Sequence, residues 1–111
     1  MYNTKQVRIA EDFFIQGDVI GKYIDGLPKG LKPVKGTVVA YGEATGHHHV
    51  LETAELFKDN LGNLFAKIDK PVLLLHQEHP AVQLRPGFIQ FGERGIMQVE
   101  YAGEEERKVR D

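Results

Sequence analysis

The chain has 111 residues with no cysteine and no serine, and its formal net charge is −2. Those absences exclude disulfides, thiolate metal sites and Ser-His-Asp catalysis, and leave His, Asp and Glu as the strong metal ligands. A chain of this length forms one domain burying roughly 60 to 70% of its unfolded surface, and its slight acidity gives no whole-domain attraction to nucleic-acid phosphate.

Taken in order, Val7, Arg8 and Ile9 predict a short strand ahead of the segment 11–17. Residues 18–25 are β-branched and aromatic and predict a strand that stops at Gly26-Leu27-Pro28-Lys29-Gly30. The following loop carries Lys29, Lys32 and Lys35 around two prolines and reads as a solvated loop, not a nucleic-acid contact. Residues 36–41 form the next strand, and Glu43, Ala44 and Thr45 between Gly42 and Gly46 are too few for a helix and fit a hairpin loop. Residues 47–52 return as a strand. The stretch 51–57 tolerates a helical turn, but the glycines on either side favour strands, and Asp59-Asn60-Leu61-Gly62-Asn63 reads as the turn into a strand over 64–68.

The most apolar run is Pro71-Val72-Leu73-Leu74-Leu75, too short for a buried helix and therefore a strand near the centre of a sheet. It delivers His76, and Pro80 bends the chain after His79. Residues 81–84 lead to a Pro86-Gly87 turn, and 88–91 and 96–101 predict a closing hairpin around 92–95, before a charged surface tail from about 103 to 111. About eight or nine short strands, with no helix predicted, make the fold class all-β, a small barrel or sandwich in a single domain over 1–111. No apolar run reaches signal-peptide or membrane-span length, so the expectation is a soluble cytoplasmic protein with no membrane partner.

The five histidines fall in two short segments, His47-His48-His49 and His76-Gln77-Glu78-His79. Side chains two apart on a strand leave the same face, so His47 and His49 share one face and His48 leaves the other. Imidazoles converging from one face are half of a transition-metal site, and the expected ligands are His47, His49 and one or both of His76 and His79, which the bend before Pro80 lets converge. Glu78 shares a face with His76 if the strand continues through it, which makes it a candidate ligand or a general base acting through bound water. Glu52 points away from His47 and His49 unless a bulge intervenes.

His47, His49 and Glu52 behind Gly42, followed by His76 or His79 and Pro86-Gly87, resemble the cupin superfamily, which implies a double-stranded β-helix over about 36–101. A wider pattern covers most of the chain: Gln16-Gly17-Asp18-Val19, Leu27-Pro28, Gly42-Glu43, Thr45-Gly46-His47, His49, His76, Glu78-His79 and Leu84 with Pro86-Gly87. It resembles a group of small hypothetical proteins of bacteria and their phages, and implies that the two histidine segments work as a unit without supplying a reaction.

The expected function is a small metal-binding β-barrel protein holding Zn²⁺, Fe²⁺, Mn²⁺ or Ni²⁺, with the question of catalysis left open. One alternative is a metal-free module in which the histidines and Thr45 bind a small anionic ligand or nucleotide, helped by backbone N–H groups near Gly42 and Gly46. The other is an assembly protein, a homo-oligomer that uses its histidine face, with Phe13 and Phe14 exposed. No dinucleotide or Walker-type glycine pattern opens a helix.

Overall fold

The computed structural model describes residues 1–42 and 46–93. Thr45, the hairpin strand expected over 96–101 and the charged tail lie outside the described residues. Among the described residues there are eleven strands and no helix: β1 Val7–Ile9, β2 Phe13–Gln16, β3 Val19–Ile24, β4 Lys32–Val34, β5 Val38–Tyr41, β6 His48–Leu51, β7 Glu55–Lys58, β8 Leu64–Ile68, β9 Val72–Leu75, β10 Ala81–Leu84 and β11 Gly87–Glu93. They form a five-stranded sheet ordered β1-β10-β9-β6-β5 and a six-stranded sheet ordered β2-β3-β11-β8-β7-β4. This is the all-β sandwich expected.

The apolar run of β9 lies third of five, and its burial alternates, with Val72 and Leu74 buried and Leu73 and Leu75 partly so. Val72, Leu74, Leu84 and Leu51 of one sheet join Phe14, Leu56, Ile68, Ile89 and Phe91 of the other in the buried core. A period of two selects one face of each strand for that core.

Three expectations are corrected. Lys32, Pro33 and Val34, expected in a loop, form the edge strand β4 paired with β7, a position that tolerates a proline because one side of an edge strand has no ladder partner. Gly92 and Glu93, expected in a turn, continue β11 opposite Ile20 and Val19. Phe14, expected on the surface, is 6% exposed while Phe13 is 40% exposed. The Phe14 ring lies over Gly21, where a Cβ would collide with it, and meets Phe91 edge-on at 6.1 Å. An assembly surface built on both aromatics thereby loses one of them.

Two local features position the site. Between β2 and β3, Gln16 pairs with Val19, so Gly17 and Asp18 are a two-residue turn. Gly17 there takes a φ of 60°, which a side chain rarely adopts and a turn with glycine in its first position requires. The second feature is the antiparallel pairing of β6 with β9, Val50 opposite Leu75 and Leu51 opposite Leu74. One residue further along, that register sets His49 beside His76.

Candidate functional site

Both histidine segments meet at one end of the sandwich. The ring centroids of His49 and His76 are 4.4 Å apart, those of His76 and His79 4.6 Å, and those of His47 and His76 5.7 Å. His47, His49, His76, Glu78 and His79 all line one cavity of about 450 Å³, together with Asp18 and Glu93. His48 is outside it, hydrogen-bonded through Nε2 to the Tyr2 hydroxyl at 2.9 Å, as the alternation along β6 requires. Glu52 is also outside: its carboxylate accepts from the Leu73 N–H at 2.8 Å. The irregularity that does occur in this hairpin lies in β5, between Val38 and Ala40.

The hydrogen bonds assign different chemistry to the two buried imidazoles. Gln16 is 2% exposed, and its amide nitrogen donates to the carbonyls of Leu74 and Pro80, both at 2.9 Å. Two carbonyl partners leave no choice about which end of the amide is NH₂. The Gln16 oxygen is therefore the group facing His49 Nδ1 at 2.8 Å, and Nδ1 must carry the proton. Neutral His49 then has its lone pair on Nε2. This is the arrangement of a metal-ligating histidine, whose other ring N–H is held by an acceptor.

His76 is arranged the opposite way. Its Nδ1 accepts from the backbone N–H groups of Glu78 at 3.0 Å and His79 at 3.2 Å. A neutral imidazole has one lone pair and one N–H, so His76 holds its proton on Nε2 and acts as a donor. The backbone at 76–79 is tied down further by the N-terminal segment: Asn3 donates through its backbone N–H to the His76 carbonyl at 2.8 Å and through its side-chain amide to the Glu78 carbonyl at 2.7 Å.

At the mouth, His47 Nδ1 stands 3.6 Å from a Glu78 carboxylate oxygen. His79 packs over Gly17, where a Cβ would come within 2.7 Å of its ring and 3.4 Å of His49. Only glycine lets these two rings and the β2–β3 turn occupy the same space. Among the described residues, no three His, Asp or Glu side chains already converge as a finished metal-ligand set. The four imidazoles are neighbours whose nitrogens are not aimed at one point.

Burial first, and then the nearby His76 and His79 imidazoles, hold the His49 pKa down at about 4, and His76 is lowered by burial and by His79 and His47. Both are uncharged at neutral pH. The consequence for stability has a definite sign. A histidine whose folded pKa lies below its unfolded value contributes its full stability above about pH 6.5, and that contribution is lost as pH falls towards the folded value. The metal-free protein should lose up to about 3 kcal/mol of unfolding free energy from His49 between pH 6.5 and 4. Urea unfolding across that window should show the slope, and His49→Gln should flatten it. An unchanged slope in the variant would assign it to other groups.

Sequence reasoning singled out the histidines but missed Asp18 as part of the pocket wall, and Gln16 and Gly17 as the residues that hold His49 and seat His79 behind it. The available signal was Gly17-Asp18 between two apolar, β-branched or aromatic runs, which is a hairpin pattern. A family model described as a domain of unknown function (DUF8820) matches residues 15–93, a span that opens just before this turn and holds every pocket residue named above. No curated protein and no solved structure matches the chain.

Proposed function

The chain belongs to this family, the domain of unknown function DUF8820, and from that premise we propose that its pocket is a binding site for a divalent transition-metal ion, with His49 as the anchoring ligand. The observation that carries the reading is the composition of the wall. Four imidazoles and the carboxylates of Asp18, Glu78 and Glu93 line the cavity, with no lysine or arginine among the described lining residues. Imidazole lone pairs beside carboxylates attract a cation, and the carboxylates repel a free anion. That weighs against the small-anion or nucleotide alternative.

His49 supplies Nε2 without first losing a proton, because Gln16 has already placed that proton on Nδ1. His79, packed beside it across Gly17, and His47 at the mouth are the partners that join it by side-chain rotation. His76 takes a different role from the one expected of it. Its lone pair serves two backbone N–H groups, so it faces the pocket as an N–H donor beside the ion. Glu78 is exposed and beside His47, where it steadies that imidazole and is the group best placed to take up a proton. A bound divalent ion would supply Lewis-acid chemistry, for which Zn²⁺, Fe²⁺, Mn²⁺ and Ni²⁺ all suit a nitrogen and oxygen donor set. The cupin-like spacing of His47 and His49 supports the same reading.

Elemental analysis of the purified, untagged chain after incubation with each ion and desalting tests it. About one ion per chain is expected, lost in His49→Ala and retained in His76→Ala, with both variants folded by circular dichroism. No uptake of any of the four ions by the native chain would overturn the proposal.

A further inference from the structure

The metal pocket has a neighbour. A second depression of about 330 Å³ shares Val19, Ala40 and Glu93 with it, and its remaining wall includes Val39, Leu64 and Phe91. Val39 and Ala40 belong to β5, at the edge of one sheet, and Val19, Leu64 and Phe91 to β3, β8 and β11 of the other. The depression is thus the opening between the two sheets beside the imidazoles. Its wall is mainly aliphatic and aromatic, whereas that of the first cavity is mainly imidazole and carboxylate. A ligand that reaches the imidazoles has one continuous surface on which to lay an apolar body.

We infer that the site takes a small organic molecule with an anionic oxygen head and an apolar body, the head lying at the ion beside His76 and the body along Val39, Leu64 and Phe91. This rests on the metal reading above. Each part of the molecule follows from a separate feature. A cation with the His76 Nε2–H next to it accepts a compact oxygen head. The apolar depression accepts a body of modest size, since a cavity of about 150 Å³ already holds a benzene ring. The Glu93 carboxylate stands where the two cavities join and repels a second negative charge. The body therefore carries no negative charge, and the apolar wall selects against a positive one.

The test uses alkyl hydroxamates, which chelate divalent ions through two oxygens, titrated calorimetrically into the full chain loaded with Zn²⁺. Metal content is measured on the same sample. From acetohydroxamate to hexanohydroxamate, affinity should rise about two- to fourfold per methylene, as expected for apolar carbon leaving water. A chain of the same length ending in a carboxylate should gain little. Val39→Asn, at a half-buried wall residue, should flatten the series while leaving Zn²⁺ content unchanged. Full Zn²⁺ content with a flat series in the native chain overturns the inference and leaves the metal reading standing; that is the outcome if the depression is closed by another part of the chain or a second copy. Absence of Zn²⁺ overturns both.

Discussion

Gln16→Met should destabilise the protein by about 2 to 4 kcal/mol, although the change preserves side-chain length and adds apolar character at a position that is 2% exposed. On size and hydrophobicity alone, the substitution would be neutral or favourable. The loss is expected because the amide serves three partners, the buried Leu74 carbonyl and His49 Nδ1 and the part-buried Pro80 carbonyl, and methionine satisfies none of them. Unsatisfied buried polar groups cost about 1 to 3 kcal/mol each, less where a second partner remains. Gln16→Glu should be equally harmful, since a carboxylate can accept from His49 but cannot donate to the two carbonyls. Chemical denaturation gives the free energies, and a loss below about 1 kcal/mol for both variants would contradict the network. Metal affinity of Gln16→Met should fall by roughly ten- to a hundredfold, the usual effect of removing the acceptor behind a ligating histidine.

Gly17→Ala should separate stability from binding. Two penalties meet at this residue: a φ of 60° that disfavours any side chain, and the His79 ring within 2.7 Å of the new methyl. The first should cost about 1 to 2 kcal/mol. The second is relieved by moving His79, which is a side chain at the pocket wall, so it should appear as lost metal affinity of at least about tenfold. Gly30 provides the control. It has a φ of 80°, and a methyl added there would meet no atom within 4 Å, so Gly30→Ala should show similar strain with no change in metal affinity. Equal affinities for the two variants would remove the claim that Gly17 exists to seat His79.

How much of this was legible in the sequence depended on whether the cause was local. The period of two along the strand expected over 47–52 placed His47 and His49 on one face and His48 on the other, because that alternation belongs to the strand itself; β6 begins at His48, with His47 just ahead of it. The apolar run of β9 likewise announced a central strand. The pairing of β6 with β9, which sets His49 beside His76, joins segments more than twenty residues apart and has no local signature. Gln16 looked like an ordinary polar residue at a strand end, since a buried amide has meaning only once its three partners are known. The donor role of His76 was hidden for a similar reason: it depends on two backbone N–H groups supplied by the bend at 76–79. At β4, Pro33 signalled a loop, and only the sheet edge made a strand acceptable there.

The measurement closest to the central claim is a long-range ¹H–¹⁵N correlation spectrum of the histidine side chains, recorded on the metal-free protein near pH 7 and again after one equivalent of Zn²⁺. Such spectra distinguish a protonated ring nitrogen from one with a free lone pair and from one bound to metal. His49 should be protonated on Nδ1, and its Nε2 signal should move to the metal-bound position on adding Zn²⁺, while His76 stays protonated on Nε2 throughout. A His49 ring protonated on Nε2, or an Nε2 signal that ignores Zn²⁺, would contradict His49 as the anchoring ligand.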